Sequence, residues 1–298
     1  MPTADIAQYS LSAGEPLTAT AARASIWILL EYNEVWGAKA LEESNLSERV
    51  KNLLLVQSAK LPHVRFQFIK QSGSNQDIRF YVANANPVNP MLFRFRLQSY
   101  DDLLDIDIAS VASARSDQTL SEERLFLVCT NGKRDACCAK NGLPLYNALS
   151  SIAGHDVWQT THIGGHRFAG TMVCLPHGVC YGRVSPDDAL AVVQSYRKNI
   201  LLPDYYRGCV VYDAPVQAAE TFLRRQVGDY SLDAFRFVSS QIQSENHWLV
   251  QFNDSDGGQY RLQVRAEPSA FTVYESTRNA EPNAVMQYFV ESQFLGWL

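Results

Sequence analysis

Between residues 91 and 97 arginine alternates with large apolar side chains: Phe93, Phe95 and Leu97 share one parity, Arg94 and Arg96 the other. A period of two puts these sets on opposite faces of an extended strand, and no helix of 3.6 residues per turn can separate them. The pattern recurs in "VRFQFIK", where Val64, Phe66 and Phe68 oppose Arg65 and Gln67. It returns late in "QYRLQVRA", where Tyr260, Leu262 and Val264 oppose Arg261, Gln263 and Arg265. A chain so marked near both ends has to build sheet along most of its length.

The segments between define the order. "SIWILLEY" reads as a buried strand, followed by a helix over "LSERVKNLLLVQSAKL" with Ser47 as N-cap and Val50, Leu53 and Leu54 on one face. "VRFQFIK", "IRFYVAN" and "LFRFRL" add three strands, and "YDDLLDIDIASVA" returns to helical spacing, giving βαβββα. The polar stretch Ser113 to Glu123 lacks apolar periodicity and marks a boundary. Beyond it come a strand, "RLFLVCT", a loop after Cys129, and a short helix, "GLPLYNALSSIAG", closed by Gly154. A strand into a glycine-rich bend, "DVWQTTHIGG", and a hairpin turned at "PHG" follow. The helix "SPDDALAVVQSYRKN" closes the series, with Ser185 as N-cap and Pro186 at its first position. This is the order of a minimal thioredoxin-like unit. The first unit has a similar order, which allows a degenerate duplication in which only the second copy kept ligands. After residue 212, "APVQAAETFLRRQV" reads as a helix and three strands as an antiparallel meander, with the apolar tail "MQYFVESQFLGWL" docking on the chain's own core. The expected fold class is α/β (α+β): an N-terminal α/β unit over residues 1–118, a thioredoxin-like unit over 119–212 and a C-terminal helix plus β extension over 213–298.

Composition narrows the function classes. With 46% hydrophobic and 19% charged residues the chain can bury a sizeable interior. A net charge of -5, with 26 Lys and Arg scattered along the chain, leaves no phosphate-backbone footprint, so nucleic acid is not an expected partner. No stretch approaches a membrane span and the N-terminus lacks a basic-then-apolar leader, so a soluble cytoplasmic protein is expected.

All six cysteines, at 129, 137, 138, 174, 180 and 209, lie after residue 128. Such clustering near histidines points to metal or redox chemistry rather than to a disulfide framework. Eight residues separate Cys129 from Cys138, and three separate His162 from His166. The glycine pair inside "HIGGH" disfavours a helix by roughly 1 kcal/mol per glycine, which leaves a loop able to bring two imidazoles together. A metal or cluster site is the leading reading, with a thiol redox or a purely structural role as the alternatives. The spacing matches no zinc finger, and the chain lacks the C-x-x-C of thiol catalysts.

As a set, "CTNGKRDACCA", "HIGGHRFAG" and "GVCYGRV" resemble the sucrase/ferredoxin-like family, and "WILLEYNEVWG" is similar to its N-terminal signature. The likeness runs from about residue 20 to 210. It implies a thioredoxin-like ferredoxin domain whose [2Fe-2S] cluster is held by Cys129, Cys138, His162 and His166. The chain departs from the pattern at Asn131, where many relatives carry histidine, while the four ligand positions match. Cys137 is then expected to pack inward or donate a weak S–H bond, and Cys174, Cys180 and Cys209 to act as small apolar residues.

Two thiolates and two neutral imidazoles leave an oxidised cluster formally near zero, against about -2 for four thiolates, so reduction becomes easier. The resemblance therefore implies a mid-potential electron carrier whose histidines couple electron uptake to a proton. The sequence carries no nucleotide-binding glycine motif, flavin fingerprint or nucleophile–base pair. An electron carrier served by a separate redox partner protein, the donor or acceptor, is expected rather than a stand-alone catalyst. A Cys2His2 zinc protein and a thiol redox protein are the alternatives. Lys133, Arg134 and Arg167 flank the ligand motifs, suited either to docking an acidic partner or to an ordinary solvated loop.

Overall fold

The strand β1 (Ile26–Glu31) is buried along its whole length, which only a central position in a sheet covered on both faces allows. In the computed structural model, which describes residues 5–73, 77–114, 119–277, 279 and 281–296, β1 is preceded by a helix, α1 (Ile6–Ser12), capped by Asp5. It is followed by α2 (Glu48–Ala59), β2 (Val64–Lys70), β3 (Ile78–Asn84), β4 (Met91–Leu97) and α3 (Ile108–Ala112). Ser47 caps α2 by accepting from the Val50 amide, and Val50 and Leu54 are fully buried. The helical stretch from Tyr100 splits into a 3-10 turn and α3, since Ile106 is extended between them.

The second half repeats the order: β5 (Leu125–Cys129), α4 (Ala136–Ala153), β6 (Val157–Thr160), β7 (Met172–Leu175), β8 (Val179–Tyr181) and α5 (Ala189–Arg197). A further strand, β9 (Tyr206–Cys209), pairs with β8. In each half the first strand runs parallel to the second and antiparallel to the third, and the fourth closes on the third. The halves join through antiparallel pairing of β2 with β6, making one nine-stranded sheet in the order β4-β3-β1-β2-β6-β5-β7-β8-β9. Of the polar stretch expected as a boundary, residues 115–118 lie outside the described residues, as do the first four residues of the chain and the last two of its apolar tail.

This sheet curls. Ile26, Ile28 and Leu30 of β1 pack with α2 and α3, and Phe126 and Val128 of β5 pack with α4 and α5. The opposite faces, Trp27 and Leu29 with Leu125, Leu127 and Cys129, share a single interior with Trp158, Ile163 and Cys180. Gln67 is buried as well, so β2 departs from the simple in–out alternation expected of it.

The helix α6 (Ala214–Val227) then leads into an antiparallel sheet of β10 (Phe235–Ser244), β11 (His247–Asp254), β12 (Gln259–Pro268) and β13 (Met286–Gly296). Val250, Phe252, Leu262 and Val264 join the core under α4, α5 and α6. The chain is thus a mixed α/β protein with a C-terminal antiparallel sheet. The apolar tail supplies β13, and α1 and β9 are elements that the hydrophobic pattern does not announce, each being too short to show a period.

His177, at the β7–β8 turn, lies 2.8 Å from the Tyr196 hydroxyl. Burial, then Arg124, push its pKa down to about 4. Above the unfolded value near 6.5 both states are neutral and stability is complete. As pH falls from about 6.5 towards about 4 the unfolded state alone gains the proton, so up to about 3 kcal/mol is lost, and the loss ends below about 4. Denaturant melts at pH 7.0 and 4.5 should show this decline, and His177→Gln should remove part of it; an unchanged decline would place its origin elsewhere.

Candidate metal centre

The two segments that carry the candidate ligands leave the same edge of the second half, one from the end of β5 and one from the end of β6. Cys129 is the last residue of β5, and Cys138 sits in the first turn of α4 rather than in a loop. The helix begins earlier than its apolar spacing suggests because Asp135 is its N-cap, accepting from the Cys137 amide at 3.1 Å. Gly142 lets α4 press on β5, since a β-carbon there would lie 2.0 Å from the Cys129 carbonyl oxygen. These contacts bring the two thiols together.

The histidine segment is a loop, as the glycine pair requires. Gly164 and Gly165 have φ of 95° and 73°, and a 3-10 turn starts at His166. A side chain at Gly165 would strike the guanidinium of Arg207, 2.2 Å from the β-carbon position. Arg207, fully buried, donates to the Gly164 carbonyl at 3.2 Å. From β2, Arg65 donates to the Ile163 carbonyl and Gln67 to that of His162. The first half of the sheet therefore braces the loop that the second half carries.

The Cys129 and Cys138 sulfurs and a His162 ring nitrogen all lie within 4.8 Å of one another, with His162 Nδ1 at 3.9 Å from Cys129 Sγ and 3.7 Å from Cys138 Sγ. His166 lies alongside, its ring centroid 4.7 Å from that of His162. The hydrogen bond from Cys138, then His162, hold the Cys129 thiol well below the ordinary range against the opposing effect of burial. The same sulfur contact, with burial, pushes the Cys138 thiol up. Burial, then His162, hold His166 below its usual value, which keeps its ring neutral.

His166 Nε2 is 2.6 Å from the Glu275 carbonyl oxygen. A carbonyl can only accept, so Nε2 carries the hydrogen and Nδ1 is bare. That Nδ1 is buried and has no hydrogen-bond partner among the described residues. Two thiols and two imidazoles, one of which presents an orphaned lone pair, suit zinc or an iron–sulfur cluster. The four residues read from the sequence as ligands are thus neighbours, with Cys129, Cys138 and His162 the tightest set.

Cys137 points away, its Sγ 3.6 Å from an Asp5 carboxylate oxygen, and its thiol is pushed up to about 11 by burial first. Cys174, Cys180 and Cys209 are buried on β7, β8 and β9. Arg167 is paired with Glu15 at 2.9 Å. Asn131 is buried and donates to the Gly37 carbonyl at 3.1 Å. Sequence reasoning missed Gln67, Arg207, Glu275 and Thr277, whose only signal would have been spatial.

The sucrase/ferredoxin-like family model matches residues 17–208. The chain belongs to that family. Among curated relatives, "Altered inheritance of mitochondria protein 32" of Meyerozyma guilliermondii is 32% identical over 105 residues, 32% of this chain and 37% of the relative. The protein of the same name from Candida glabrata is 21% identical over 175 residues, 50% of this chain and 54% of the relative. The chain spans between about a third and about half the length of these relatives. No solved structure matches. Among the described residues no helix is long and apolar enough to cross a membrane.

Cobalt(II) added to the reduced, anaerobic chain should give thiolate-to-cobalt charge-transfer absorption. Cys138→Ser should weaken binding by more than about tenfold, whereas Cys137→Ser should leave it unchanged. Equal sensitivity of the two variants would remove Cys138 from the donor set.

Proposed function

We propose that this chain is a one-electron carrier in which Cys129, Cys138, His162 and His166 hold a [2Fe-2S] cluster. The observation that carries the reading is the pair of buried thiols beside two imidazoles, one of which has a bare, unpartnered Nδ1. When bound, such a cluster would supply reversible one-electron redox at a potential raised by imidazole ligation, roughly -150 to +300 mV by analogy with Rieske centres.

The chain's own residues supply the setting. Of the two thiols Cys129 is the more readily ionised, and both would be deprotonated on metal binding. Glu275 holds the proton on His166 Nε2. The two histidines are therefore unequal. His162 is half-buried and lines a groove with Ala38–Glu42, Leu55, Phe66 and Arg134, so it is the imidazole that a proton from solvent would reach as the electron arrives. The same groove brings the site within reach of a separate redox partner protein. The six free cysteines, all buried, support a reducing compartment, with the cytoplasm as the proposed location.

A single zinc ion is the second reading, favoured by one observation. With zinc–sulfur near 2.3 Å and zinc–nitrogen near 2.0 Å, the edge of a tetrahedron is about 3.5 Å. The 3.7 and 3.9 Å separations of His162 Nδ1 from the sulfurs come close to that edge.

Anaerobic purification decides between them. The expected product is reddish brown, holds two irons per chain and gives an EPR signal after one-electron reduction. His166→Cys should lower the midpoint by on the order of 100 mV or more, towards all-thiolate values. A colourless chain with one tightly held zinc would overturn the electron-carrier reading.

A further inference from the structure

The connection between β12 and β13, Ser269–Val285, leaves its own sheet. Its base is closed by the Ser269 amide on the Val285 carbonyl at 2.8 Å and by paired bonds of 2.9 Å between Val273 and Asn283. Past that bridge the chain touches α1, the turn that bears His166 and the head of α4. Tyr274 sets its ring edge-to-face on Tyr9 of α1, with centroids 5.1 Å apart. Glu275 gives its carbonyl to His166 and brings its carboxylate 3.8 Å from Arg167. The Thr277 amide and hydroxyl both donate to Asp135 Oδ2, at 3.2 and 2.8 Å. Asp135 is the cap of the helix that carries Cys138, and the same Oδ2 lies 3.9 Å from His166 Nε2.

We propose that this strap is a positioning element for the donor set: the Glu275 carbonyl fixes the tautomer and rotation of His166, and Thr277 holds the Asp135 carboxylate at the head of α4. The proposal rests on the reading of His166 as a donor. It extends the centre beyond the region that the family model matches, to a segment more than 60 residues downstream of residue 208. Its physical basis is that a metal-bound imidazole has a second nitrogen whose hydrogen-bond partner sets which nitrogen is bare and where it points. Here that partner is a backbone oxygen from the C-terminal extension, flanked by the anchored side chains of Tyr274, Glu275 and Thr277.

The test uses the full chain with Thr277→Val, which deletes the hydroxyl donor, and Thr277→Ser, which keeps it. Nitrogen-15 NMR of the metal-free protein should show His166 protonated at Nε2 in the wild type and in the Ser variant, with that tautomer weakened in the Val variant. In the loaded protein Thr277→Val should release its metal to a chelator about tenfold faster, within the range for outer-sphere partners of metal ligands, and Thr277→Ser should restore retention. Thermal melts of the three metal-free chains separate this effect from general destabilisation. A wild-type His166 protonated at Nδ1, or a Val variant equal to wild type in both readouts, overturns the strap. A chain that takes up no iron yet shows the Nε2 tautomer, lost with Thr277→Val, upholds the strap and overturns the cluster reading alone.

Discussion

The structure around the candidate centre depends on how one loop satisfies its carbonyls. Residues 162–166 pass through two consecutive left-handed glycines, a conformation that cannot pair its backbone in a ladder, and they do so among buried side chains. An unmet buried carbonyl costs about 1–3 kcal/mol. Gln67, Arg65 and Arg207 answer the carbonyls of His162, Ile163 and Gly164 in turn. Two of these donors come from β2 in the first half and one from β9, so the loop is positioned by strands from both sides of the joined sheet. The pairing of β2 with β6 is the step that brings them within reach.

That dependence gives the ligand-free first half a physical role. Its four strands repeat the arrangement of the second half, yet it holds no cysteine. What it contributes is a sheet edge, the Trp27 and Leu29 face that closes the shared interior, and two polar side chains aimed at the histidine loop. Arg65 and Gln67 occupy the polar parity of a strand whose alternation, taken alone, sends them to solvent. They are covered because β6 and its loop lie across them.

Strand and helix identities were legible wherever a period could run for several residues, as in β4, β12 and α2, because alternation or a 3.6-residue stripe is a local property. The nearness of Cys129 to Cys138 was legible as a motif but not as geometry. Cys138 belongs to a helix whose first two turns, "ACCAKNG", have too few large apolar residues to show a stripe, and only the Asp135 cap marks where it starts. Glu275 was illegible for a deeper reason. It acts through a backbone carbonyl, which every residue has, so no side-chain pattern could single it out. Thr277 is one of many threonines until the strap folds back on Asp135.

The inequality of the two imidazoles follows from the same principle. His166 is enclosed by the turn that bears it, by Asp135 and by the strap, and its outer nitrogen faces an acceptor that cannot donate. Moving the proton off that nitrogen would leave two lone pairs opposed in a site from which water is largely excluded, a configuration the low-dielectric interior penalises strongly. His162 has no such lock, because its ring borders the groove beside Phe66 and Arg134. The two imidazoles are thus placed differently: His166 is held by a backbone carbonyl in an enclosed site, whereas His162 faces the groove.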